Sequence, residues 1–174
     1  MCNSTKHKIA STMHEMMSRK AFEKITVKNL MDVSNMNRQS FYYHFRDTRD
    51  VLMWICHENV FAPMAASDLE FSEWIIYGME LLYRDRPFYY RVVSVSQVDF
   101  VREFIATAVF PRVKSIFYPE VEHLGENQTF AVDFLSNAIM DYYLRFLASH
   151  DPFDHADCRK KLRFLLAEVI HTQH

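Results

Sequence analysis

Arg38, Gln39, Ser40, Tyr42, Tyr43 and His44 set a cation, an amide, three hydroxyls and an imidazole within about two helical turns. A guanidinium fork matches guanine and a carboxamide matches adenine, so Arg38 and Gln39 suit the base edges of a nucleic-acid groove. Ser40 and Tyr43 are spaced for bases or sugars. Tyr42, His44 and Thr26 suit phosphates, as do the free amides that open a helix. Enzyme chemistry has no foothold: there is no glycine-rich phosphate loop, no HExxH and no GxSxG.

The flanking residues position these groups. Apolar side chains fall at Val27, Leu30, Met31, Val33, Met36, Phe41 and Phe45, and the 27/30/31 and 41/45 spacings each mark one helical face. Thr26 is an N-cap residue for the first helix and Asn37 for the second. Between them Ser34-Asn35 interrupts the pattern, and Asn tolerates a left-handed turn. A preceding helix fits residues 5 to 20, with Ile9, Met13, Met16 and Met17 inward, and Phe22 and Ile25 close a three-helix core. Asp47 or Thr48 caps a fourth helix, expected to run to about Val60 and end at Pro63.

The chain has 174 residues and two glycines, which favours an all-α fold over a sheet. Residues 1 to 50 hold nine Lys and Arg against five Asp and Glu, whereas the remainder holds eleven against seventeen. A positive first module joined to a negative remainder confines contact with a polyanion to the first. The expected division is a helix-turn-helix domain over 1–48 and a helical effector-binding and dimerisation domain over 49–174. No apolar run is long enough for a membrane span, and three scattered cysteines fit a reduced cytoplasm.

Beyond residue 60, helices are expected over 72–84, 88–96 and 97–117, the last kinked near Pro111. Residues 128 to 149 confine polarity to one stripe, Asp133, Asn137, Asp141 and Arg145, with apolar side chains over most of the remaining circumference. Such a helix must be covered on more than one side. A four-helix bundle across a homodimer, formed with residues 156 to 172, would cover it. The expected interface is Phe130, Phe134, Ile139, Tyr143, Phe146, Leu162, Leu166 and Ile170; a central helix buried within one subunit is the alternative. Trp74, Tyr77, Phe88, Phe104, Phe134 and Tyr142 either line an apolar effector pocket or pack as plain core. Residues 150 to 158 gather His150, Asp151, Asp154, His155, Asp157 and Cys158, but the composition is also that of a turn and an N-cap, so no metal or other cofactor is expected.

The segment Ile25 to Leu52, with Phe41-Tyr42-Tyr43-His44-Phe45 closing the second helix, resembles the DNA-binding domain of the TetR/AcrR family of bacterial transcriptional regulators. The resemblance implies a double-stranded DNA operator as partner, a homodimer on a palindrome, repression as the mode, and a small effector. It covers residues 5 to about 60. Asn35 stands where the family's turn glycine lies, Gln39 where a small glycine is common, and Thr48 followed by Arg49 where lysine is common. Arg49 or Arg46 is therefore the expected phosphate contact there. Arg38 to Tyr42 and Val51 to Ile55 also resemble the subgroup that includes the activator of dihydroxyacetone kinase operons, which implies control by a partner protein. The competing class is a helical protein-interaction module, and salt-dependent binding to duplex DNA separates the two.

Overall fold

The computed structural model describes residues 2–149 and 151–170, and every regular element among them is helical. Helix α1 (Cys2–Arg19), a 3₁₀ turn (Phe22–Lys24), α2 (Val27–Ser34), α3 (Arg38–His44) and α4 (Thr48–Cys56) come first. Ile9, Met13, Met16 and Met17 of α1 meet Leu30 and Met31 of α2, and Phe41, Phe45, Val51, Leu52 and Ile55 complete the same core. Val33 departs from the expected inward set and is 60% exposed.

The expected stop at Pro63 is not observed. A π-helical turn (His57–Phe61) follows α4 directly and runs into α5 (Ala62–Ala65), which has Pro63 in its first turn. Proline lacks the amide that an uninterrupted α-helix would use and clashes with the carbonyl four residues back. The wider turn shifts the hydrogen-bond register just before the ring. The same device recurs after α6 (Phe71–Tyr83) and α7 (Arg86–Phe104): a π turn (Ile105–Val109) leads into α8 (Phe110–Phe117), with Pro111 in its first turn. The irregularity expected near Pro111 thus takes this form. Helix α7 is itself jointed at Ser96, whose φ of −143° and ψ of 36° are not helical. That joint lies where the sequence separates the 88–96 and 97–117 segments.

The last elements are α9 (Glu126–Ala148), α10 (His155–Phe164) and a π turn (Leu165–Ile170). Helix α9 lies against α6, α7 and α8, and α10 lies against α6. Tyr143 is wholly buried, and its hydroxyl donates to the Ile75 carbonyl of α6 at 3.0 Å. Gly78 makes this approach possible, because a Cβ there would meet the Tyr143 hydroxyl at 2.5 Å and Met64 Cε at 2.6 Å. Burial holds the phenol well above its ordinary pKa, so it stays a neutral donor. The C-terminal carbonyls of α9 are met by Arg86, which donates to Leu147, Phe146, Ser149 and Asp151 and stacks 5.0 Å from the Phe146 ring. Charge-assisted donors suit this end of a helix, where carbonyls lack partners.

Gly78→Ala is expected to cost about 1–3 kcal/mol through overpacking, even though alanine is the better helix former. Tyr143→Phe alone costs about 1 kcal/mol and, by withdrawing the hydroxyl, reduces the Gly78→Ala penalty in the double variant. Urea unfolding of all four proteins checks this, and strictly additive losses would refute the contact.

Candidate nucleic-acid interface

Helices α2 and α3 are set by caps at both ends of the turn between them. Thr26 Oγ1 accepts from the Asn29 amide at 3.2 Å, while Asn29 Oδ1 accepts from the Thr26 amide at 2.8 Å. This reciprocal box satisfies two amides that would otherwise be orphaned and leaves the Thr26 hydroxyl proton for an outside acceptor. Asn35 sits at φ 53°, ψ 49°, the left-handed conformation, and closes α2 with its amide on the Asp32 and Met31 carbonyls. Asn37 Oδ1 then accepts from the Ser40 amide at 2.7 Å and starts α3.

Helix α3 buries one side chain, Phe41, and its C-cap Phe45 is buried as well. Around them Arg38 and Gln39 are exposed, Ser40 is half-buried, and Tyr42 and Tyr43 are 61% and 79% exposed. Tyr42 therefore stands outside the core. His44 is half-buried with its ring 4.9 Å from that of Tyr43. Arg38, Gln39, Tyr42 and Tyr43 share the solvent side of one short helix, and Thr26 and Asn37 lie exposed at the starts of α2 and α3. Lys28, also exposed on α2, adds a cation that the sequence reading passed over.

Arg49 departs from expectation. Its guanidinium is 3.4 Å from Asp99 on α7, so it turns toward the C-terminal helices. Arg46 is the more open of the two cations, 88% exposed and 3.6 Å from Asp50. Two contacts join α1 to α7 and its N-cap: His14 pairs with Asp85, and Arg91 donates to the Met17 carbonyl at 2.6 Å. Lys6 lies 5.8 Å from the Phe45 ring centre and 5.9 Å from that of Trp54, so it covers the core between α3 and α4.

The six residues expected around an effector do not surround one space. Trp74 is buried with its indole donating to the Met64 carbonyl at 2.9 Å, and Phe104 is stacked between Phe61 and Tyr143. Phe88 is buried beside His14, Tyr77 is half-buried, and Phe134 is 65% exposed. Tyr142 is half-buried beside Cys158 at 3.6 Å, and burial pushes its phenol up to about 12. These rings are core or surface, because a helix apolar on most sides gives no sign of which side is covered. Of the expected interface residues, Phe130 and Phe134 are 70% and 65% exposed, and Ile139, Phe146 and Leu166 are half-buried. Tyr143 and Leu162 belong to the subunit's own core, Tyr143 through its seat on α6, and cannot face a partner. The side chain of Ile170 lies outside the described residues, as do His150, His171 and His174. In the 150–158 segment Asp154 caps α10 at the Ala156 and Asp157 amides, and His155 pairs with Glu80 at 2.9 Å.

Three N-terminal helices ending in a helix-turn-helix, followed by a further set of packed helices, have known counterparts. A TetR transcriptional regulator from Streptococcus agalactiae superposes with a TM-score of 0.64 at 18% identity over 92% of each chain. The fold is that of the TetR-type regulators. A solved dihydroxyacetone kinase operon activator, DhaS, superposes with a TM-score of 0.62 at 18% identity, over 95% of this chain and 96% of that one. In sequence, the dhaKLM operon transcriptional activator DhaS of Lactococcus lactis is 25% identical over 92 residues, which span 51% of this chain and 49% of that protein. No family model matches the chain. Among the described residues no helix is long and apolar enough to cross a membrane.

The turn supplies a direct check. Asn35→Gly is expected to leave the melting temperature unchanged or raised, since glycine adopts positive φ freely. Asn35→Val is expected to lose about 1–2 kcal/mol. Equal stability of the two variants in thermal unfolding would contradict the left-handed cap.

Proposed function

We propose that the chain is a sequence-specific DNA-binding transcriptional regulator, acting in the cytoplasm as a homodimer on a palindromic operator. The observation that carries this reading is α3: Phe41 anchors it, while Arg38, Gln39, Tyr42 and Tyr43 stand free on its outer side. A seven-residue helix gains little from its own hydrogen bonds, so a core that presents four such side chains outward fits a groove-reading role. In the reading proposed here, residues 1–48 form the DNA-binding unit and 49–174 the controlling and dimerising one. The chain works through binding and not catalysis.

In this mechanism α3 enters the major groove. Arg38 and Gln39 address base edges; Ser40 and Tyr43 reach bases or sugar. Thr26, Asn37, Tyr42, His44 and the first amides of α2 hold the phosphates and set the register. Arg46 takes the phosphate position at the start of α4 in place of Arg49. Two copies place their recognition helices about 34 Å apart, one helical turn of DNA.

The homodimer draws support from α9 and α10. Phe130 and Phe134 stack on each other at 6.2 Å one turn apart, and Phe164 and Leu165 are 65% and 43% exposed. Exposed apolar side chains this large on the last two α-helices suit a two-fold bundle with a second copy. Occupancy of the operator gives repression. A second reading, activation with a partner protein, is favoured by the match to a relative named as an activator.

Arg38→Ala with Tyr43→Ala is expected to weaken binding to the chain's own upstream intergenic DNA at least tenfold while the fold is kept, since one base-reading arginine contributes about 1–3 kcal/mol. A gel shift with undiminished affinity would sink the assignment. Phe134→Glu is expected to yield monomers by light scattering and to remove footprint protection over both half-sites. A Phe134→Glu chain that stays dimeric would relocate the interface.

A further inference from the structure

The residues expected to hold an effector pack as core or stand on the surface, which leaves control without a site. A groove of about 760 Å³ lies instead between α9 and the run from the end of α7 through the π turn to Phe110. Val101, Ile105, Phe110 and Leu144 are half-buried along it, and Val98 is 67% exposed at its edge. Such apolar side chains in a concave surface favour an apolar occupant. One cation stands at the groove, Arg102, whose exposed side chain makes no ion pair or hydrogen bond with the described residues. The opposite wall carries Asp133 and Asn137.

Arg102 also borders a second, polar cleft that includes Arg49, Asp50, His57, Asp99 and Glu103. It therefore stands between the apolar groove and the Arg49–Asp99 pair that joins α4 to α7.

We propose that this groove is the effector site and that it takes a small monoanionic amphiphile. The carboxylate pairs with Arg102, which presents a planar fork of donors for it. The aliphatic body lies along Val101, Ile105 and Phe110. Asp133 on the facing wall repels a second acidic group, so a dicarboxylate of equal length binds less well. Because Asp99 is one helical turn from Arg102 on α7, an anion held there bears on the Arg49–Asp99 contact between α4 and α7. The inference rests on the regulator reading for its role as an effector site, but the binding event stands apart from it.

Isothermal titration of the full chain with octanoate, 1-octanol and suberate tests the proposal. Octanoate is expected to bind saturably at one per subunit, suberate more weakly, and Arg102→Met to weaken octanoate about tenfold without changing octanol. Ile105→Glu, checked for folding by circular dichroism, is expected to remove octanoate binding as well. Absence of saturable octanoate binding, or octanoate affinity unchanged in Arg102→Met, would overturn the site. A gel shift on upstream DNA without ligand reads the regulator assignment separately. Octanoate binding through Arg102 with no DNA binding keeps the site and removes its role, whereas DNA binding with no octanoate removes the site alone.

Discussion

The seat of Tyr143 on Gly78 sets the rotation of α9, and much of the C-terminal bundle follows from it. A hydroxyl bonded to a helix carbonyl, with glycine beneath it, admits one rotational setting of the two helices. Val132, Ser136, Met140 and Leu147 then share the inward side with Tyr143. Phe134, nine residues away at about 100° each, falls on the opposite side, where it is exposed. The side that α9 leaves exposed is thus fixed by a contact buried inside the chain. The Tyr143 ring stacks on Phe104 at 5.7 Å and Phe104 on Phe61 at 4.7 Å, so a column of rings runs from α9 through α7 to the π turn after α4. Close-packed rings transmit position without yielding much, which ties the setting of α9 to the π turn that follows α4.

The helix-turn-helix was legible because its determinants are local. Caps at Thr26 and Asn37, an asparagine at the turn and a 41/45 apolar pair each act within four residues, so spacing alone reveals them. The reading erred where the deciding partner is distant. Arg49 resembles a phosphate contact in sequence, yet Asp99, fifty residues on, draws it to α7. Arg86 does lie at the break between the helices expected over 72–84 and 88–96, and only the reach of its guanidinium to the end of a helix sixty residues downstream was hidden.

Pro63 and the aromatic residues were illegible for different reasons. Pro63 is a helix stop by the usual rule, but the π turn before it lets the chain continue, as does the one just before Pro111, where a kink is expected; nothing in residue type announces either turn. The aromatic residues of α9 and its neighbours failed because periodicity needs contrast. With apolar side chains on nearly every side, Tyr143 and Phe134 look alike in sequence, and only packing separates a buried ring from an exposed one. The same lack of contrast leaves open in sequence whether the aromatic residues line a cavity or pack as core; in the fold Trp74, Phe88 and Phe104 are core and Phe134 is exposed.

Three polar contacts hold α1 and α4 to α7 and its N-cap Asp85, and their placement along that helix matters more than their strength. His14–Asp85 and Arg91–Met17 lie before the joint at Ser96, and Arg49–Asp99 lies after it. The exposed Arg49–Asp99 pair contributes at most about 1 kcal/mol, so it orients α4 without locking it. The part of α7 before the joint thus grips α1, and the part after it grips α4. Helices α1 and α4 also pack on each other in the core that holds Ile9, Met13, Val51 and Leu52, so the two parts of α7 hold one shared core from either side of the non-helical joint.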